Sequence, residues 1–172
     1  MFKRKQPTHT VVGLELDPSH IAAAEVSVNG SITVTRGAVA LLRPGLLRDG
    51  EAQDPAGLSE ALRAFFEEHQ LPTRVRLGLA NQRIVVRTLD LPVTPDAKAL
   101  QAAVEAEAPD HIPMPMDEAV VDFQSLGIVS TPSGPRSRVV IVAVRRDMVD
   151  RLFHACRDAG LQVEGIDLSA FA

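Results

Sequence analysis

VVGLELDPSHIAAAEVSVNGSITVTRGAVALL, residues 11–42, is the stretch whose reading decides the fold. Val11 to Leu16 is short and apolar and stops at the turn pair Asp17-Pro18. Ile21 to Val28 follows, and then Asn29-Gly30, a dipeptide suited to two-residue hairpins because both positions tolerate positive φ. Ser31 to Leu42 opens with alternation, Ile32 and Val34 against Thr33 and Thr35. That is the period of a half-buried strand. Three strands joined by two tight turns are expected, an antiparallel meander at the head of a domain.

Outward from this meander, composition bounds the rest. At 172 residues the chain can hold one domain or two subdomains with real cores. Hydrophobic residues make up 45% and charged ones 23%, ordinary for a globular protein. There is no Trp or Tyr, so the core is aliphatic and the usual platforms for stacking bases are missing. A net charge of −4 adds no general attraction for nucleic acid, which is therefore not an expected partner. Cys156 is the only cysteine and rules out an intrachain disulfide. It falls on an amphipathic helix and reads as packing filler. His9, His20, His69, His111 and His154 show no metal-ligand spacing, and no metal is expected. The longest apolar run, Val139 to Val144, is far short of the ~20 residues of a membrane span. Met1-Phe2-Lys3-Arg4-Lys5 has no hydrophobic region behind it, so residues 1–10 read as a flexible tail rather than a signal peptide.

After the meander, Arg43 to Gly50 reads as a loop. Asp54 is placed to cap a helix with Pro55 at its first position, where a missing N–H is harmless. Leu58, Leu62, Phe65 and Phe66 give that helix an apolar stripe. Arg74 to Ala80 and Arg83 to Leu91 read as strands. Thr94-Pro95-Asp96 starts a second helix by the same cap-and-proline logic, and Pro109 is expected to stop it. Ile112-Pro113-Met114-Pro115-Met116 reads as an extended apolar connector, which leads us to expect that residues 83–145 fold poorly on their own. Glu118 to Leu126 and Arg138 to Val144 read as strands separated by a flexible polar loop, Ser130 to Pro135. Asp147 is expected to cap a third helix, Gly160 to end it, and Leu161 to Leu168 to form the last strand.

The order three strands, helix, strand, inserted strand-helix-strand-strand, helix, strand is similar to the first domain of actin-like ATPases. Gly13-Leu14-Glu15, Ile112-Pro113-Met114-Pro115-Met116-Asp117-Glu118, Val121-Asp122-Phe123 and Ala159-Gly160-Leu161 through Ile166-Asp167-Leu168-Ser169-Ala170-Phe171-Ala172 resemble the PilM family of type IV pilus assembly proteins. The resemblance covers nearly the whole chain from Val11.

It implies an α/β fold, an actin-like domain 1 in which subdomain 1A (11–81 and 146–172) is a mixed sheet with helices. Subdomain 1C (82–145), a strand-helix-strand-strand unit, is inserted into it. A second actin-like domain of similar size is expected in relatives and is absent from this sequence. The resemblance further implies a cytoplasmic adaptor, peripheral at the inner membrane, that binds the N-terminal tail of a PilN-like membrane protein. Leu79, Asn81, Gln82, Val121, Phe123, Arg145 and Arg146 are the candidates for the peptide groove between 1A and 1C. The alternatives are an actin-superfamily nucleotide-binding ATPase or a polymerising structural subunit, that is, a homo-oligomer. Glu15, Asp17 and Ser19 would then be the nucleotide residues. Where relatives carry Asp-Ile-Gly-Ser-Ser-x-Val-Lys, however, this chain reads Glu15-Leu16-Asp17-Pro18-Ser19-His20-Ile21-Ala22. A carboxylate replaces a glycine, Pro18 offers no N–H, and the lysine is Ala22. No catalytic residue and no cofactor is expected. ATP with magnesium would belong only to a full-length two-domain form.

Overall fold

The computed structural model describes residues 9–28, 31–79 and 84–168. They divide into two units, one from the described residues of 1–82 and 150–172, the other from 83–149.

The first unit is built on a five-stranded sheet. The meander is there: β1 (His9–Asp17), β2 (His20–Val28) and β3 (Ile32–Leu41) pair antiparallel in sequence order. β1 takes up the last two residues of the expected tail, because β2 is long enough to give His9 and Thr10 partners in Val28 and Ser27. Asn29-Gly30, residues 1–8 and residues 169–172 lie outside the described residues. Arg43 to Gly50 is not a plain loop. β4 (Leu47–Arg48) and β5 (Glu51–Ala52) make a small hairpin whose turn residues Asp49 and Gly50 both have positive φ. That is the turn whose twist matches paired strands.

Helix α1 (Pro55–Glu68) follows, capped as expected by Asp54, whose Oδ1 accepts the Gly57 N–H at 2.9 Å. β6 (Arg74–Leu79) then pairs parallel with β1. After the second unit the chain returns in α3 (Arg146–Asp158) and ends in β10 (Gln162–Leu168), parallel to β6. The sheet order is β10-β6-β1-β2-β3. Asp147 sits inside the first turn of α3, with its carboxylate against Arg145, rather than at the cap. Gly160 ends α3 with φ +85°, its N–H on the Arg157 carbonyl and the Leu161 N–H on the Cys156 carbonyl, a Schellman closure.

Alternation gives this sheet one buried face. Val12, Leu14, Leu16, Ile21, Ala23, Val75 and Leu77 are buried, together with Leu58, Leu62, Phe65 and Phe66 of α1 and Leu152, Ala155 and Cys156 of α3. The opposite face carries Gly13, Glu15, Ala22, Ala24, Gly37, Val39, Arg76, Gly78 and Asp167. With so many small side chains it forms an open concavity of about 690 Å³.

The second unit is a three-stranded antiparallel sheet, β7-β9-β8, with one helix. Its strands are β7 (Val85–Pro92), β8 (Ala119–Thr131) and β9 (Gly134–Arg145), and its helix is α2 (Ala97–His111). Asp96 caps α2 by accepting the Ala99 N–H at 2.8 Å, so Pro95 precedes the cap instead of opening the helix. Pro109 does not stop α2, which continues to His111. Ile112 closes it through the Ala108 carbonyl. The apolar connector after it is not extended: Met114, Glu118 and Ala119 turn back on the carbonyls of Ile112, Pro115 and Met116. Nor is Ser130 to Pro135 a loose loop. β8 and β9 pair up to Thr131 and Gly134, leaving a two-residue turn held by the Thr131 hydroxyl on the Gly134 carbonyl. Leu89, Leu91, Val104, Ala108, Ile112, Val139, Ile141 and Ala143 form the unit's own core.

Candidate functional site

The turn between β1 and β2 carries Asp17 and Ser19, two of the nucleotide candidates. Asp17 and His20 are the last ladder pair, so Pro18 and Ser19 alone make the turn. Its donors are already engaged. Asp17 Oδ1 accepts the Ser19 N–H at 2.9 Å and the Ser19 hydroxyl at 2.6 Å, and His20 Nδ1 lies 3.1 Å from that hydroxyl. The two Ser19 hydrogen bonds hold the Asp17 carboxyl below the usual carboxylate range, with a smaller contribution from His20 at 3.3 Å. A fixed negative charge thus occupies the ground where a phosphate would seek N–H groups. These residues do not fit a nucleotide phosphate.

Glu15 is exposed on the open face, opposite Ala22 on β2 and Gly78 on β6. Sequence reasoning missed two residues beside it. Asp167 pairs with Gly78 from the other side, and Arg76 donates from Nε to Asp167 at 2.9 Å. Glu15 and Asp167 therefore flank a glycine across two strand spacings, about 10 Å. The signal was the alternation of β6 and β10, but their register could not be read from one strand at a time. Among the described residues, no group of three His, Cys, Asp or Glu is placed to hold a metal ion.

The peptide-contact candidates scatter into different environments. Leu79 is the last residue of β6, paired with Leu168, and its side chain is outside the description. Asn81 and Gln82 lie outside the described residues altogether. Val121 and Phe123 are half-buried and pack against the core of the second unit. Arg145 holds Asp147 with two hydrogen bonds, at 3.0 and 2.7 Å. Arg146 reaches back to the carbonyls of Asp117 and Ala119 at 3.3 and 2.8 Å, while its own N–H donates to Glu118. Both guanidiniums are exposed at the surface of the second unit, where they brace the entry to α3.

The family model described as type IV pilus assembly protein PilM matches residues 13–172. A solved PilM–PilN type IV pilus biogenesis complex contains a chain of similar structure, with TM-score 0.82 and 30% sequence identity. The match covers 96% of this chain and 49% of that one, so this chain spans about half the length of the relative. The fold is the mixed α/β, actin-like one expected.

Proposed function

The chain belongs to the PilM family of type IV pilus assembly proteins, and from that premise we propose that it is a non-enzymatic adaptor at the cytoplasmic side of the inner membrane, binding the N-terminal tail of a PilN-like membrane protein. The observation that carries this reading is the match of 96% of the chain to a partner-bound relative. No described helix is long and apolar enough to cross a membrane. Leu79, Asn81, Gln82, Arg145 and Arg146 are the proposed contacts. Val121 and Phe123, also candidates, belong to β8 and pack on the core of the second unit. An extended tail would gain main-chain hydrogen bonds and seat apolar anchors in pockets.

The test is titration of a synthetic PilN-type tail peptide against isotope-labelled chain, following amide shifts. Saturable shifts at Leu79 and at Arg145-Arg146 are expected. Shifts confined to residues far from these positions, or none, would reject the reading.

The rival reading is nucleotide binding, favoured only by Glu15 and Asp167 sharing one face. The self-bonded Asp17-Ser19 turn supports the adaptor instead. Calorimetric titration with magnesium-ATP should give no saturable heat, and Ala22→Lys alone should not create any.

A further inference from the structure

β3 is the edge of the five-stranded sheet, and among the described residues nothing pairs with its outer side. It runs for ten residues, ITVTRGAVAL, without a proline. Ile32, Val34, Val39 and Leu41 are 78%, 62%, 69% and 91% exposed, a concentration of large apolar side chains found on no other described strand. Long apolar edges are normally blunted by charge, proline or distortion, because their unpaired N–H and C=O groups recruit another strand. The only charge here, Arg36, is turned away. It faces Glu25 at 3.6 Å and donates to the carbonyls of His69 and Gln70 beyond the end of α1.

The register carries the argument further. Val26 pairs with Val34 and Glu25 with Arg36, so Thr35 is an extra, bulged residue. The bulge resets the alternation. Ile32 and Val34 before it and Gly37, Val39 and Leu41 after it all stand on the open face, opposite Val28, Val26, Ala24, Ala22 and His20. Read outward from Gly37, that row is a palindrome of sizes: a valine on each side, then Ile32 at one end and Leu41 at the other. Antiparallel pairing of two such strands about Gly37 sets Val34 against Val39 and Ile32 against Leu41, twice over. On the other face Arg36 meets Ala38, so no like charges oppose each other.

We propose that β3 is a dimerisation edge: two copies of this chain pair their β3 strands antiparallel about a two-fold axis at Gly37, joining their five-stranded sheets into one. Self-complementarity is what an isologous interface demands, and a foreign strand would not require it. The interface is independent of the adaptor reading and involves none of its contact residues.

Sedimentation of the chain across a concentration series should move from 18.5 kDa toward twice that mass. Val34→Lys with Val39→Lys, and Val34→Glu with Val39→Glu, change exposed positions and should leave the circular dichroism unaltered. Each double variant alone should stay monomeric, since like charges then face each other across the axis. An equal mixture should recover the dimer, because each lysine meets a glutamate. Gly37→Cys gives a second readout. A Cβ at Gly37 meets nothing closer than the Ala23 carbonyl at 4.0 Å, and mild oxidation should yield a covalent dimer. Cys156 will not compete, being buried with its thiol pushed up to about 12. A wild-type chain monomeric at every concentration, charge variants that dimerise unmixed, a mixture that stays monomeric, or no Gly37→Cys crosslink would each overturn the proposal.

Discussion

Asp17 engages the turn it belongs to. The turn keeps its two-residue geometry, but the carboxylate takes the amide and hydroxyl of Ser19 for itself. Because its folded pKa lies below the ordinary 3.8, the ionised turn is favoured above that pH, and its contribution is lost as pH falls through the lowered value. In the Ser19 amide resonance, the transition that belongs to Asp17 should therefore fall below pH 3.8. Asp17→Asn should shift that resonance at neutral pH and remove the acid transition. An Asp17 that titrates at or above the ordinary value would contradict the assignment. That Asp17 stands where the resembled family carries a glycine was visible from that resemblance, and it already pointed away from phosphate. That the new carboxylate would bond Ser19 was not legible, since it depends on the rotamer the hairpin imposes.

At the scale of elements, helix ends separate what can be read from a sequence and what cannot. Gly160 announced the close of α3. The same Schellman closure ends α1, where Gln70 has φ +50°, its N–H on the Glu67 carbonyl and the Leu71 N–H on the Phe66 carbonyl. A glutamine hides that motif because its side chain gives no hint of a left-handed backbone. Gln70→Gly should relieve strain of about 1 kcal/mol and raise the urea midpoint accordingly.

Gly57 runs the opposite way. Helix propensity alone favours Gly→Ala by ~1 kcal/mol, but a Cβ at Gly57 would lie 2.5 Å from Asp54 Oδ2 and 2.7 Å from Leu46 Cδ2. Overpacking costs of about 1–3 kcal/mol and damage to the Asp54 cap should win. Gly57→Ala should therefore lower the midpoint, and a rise would refute this account. Elsewhere, Pro109 failed to end α2 because it falls in the last turn. Ser130 to Pro135 looked loose because polar residues and prolines suit both a free loop and a tight hairpin, and only the pairing of the long strands on either side decides between them.

At the scale of the whole molecule, the described residues form two units. The sequence suggested that residues 83–145 would fold poorly alone, with Ile112 to Met116 left exposed. The structure buries Ile112 and packs Met114 against the same core, which removes that reason. Residues 83–149 expressed alone should give a dispersed spectrum and a single cooperative urea transition, with a stability of about 2–4 kcal/mol for so small a core. A featureless spectrum would show that the unit depends on the rest of the chain.

The pairing of β6 with β10 has a consequence for synthesis. These strands are neighbours in the sheet, yet residues 74–79 must wait for 162–168 to appear. A ribosome releases the N-terminal meander, α1 and β6 first, and then the whole second unit. Only after that does it release the strand that covers β6 along its free side. Until then β6 is itself a temporary edge, with Val75 and Leu77 in place but half of its backbone ladder unmade. The first unit starts folding before the second and finishes after it, so a pause in translation between residues 80 and 160 would lengthen the life of an open sheet.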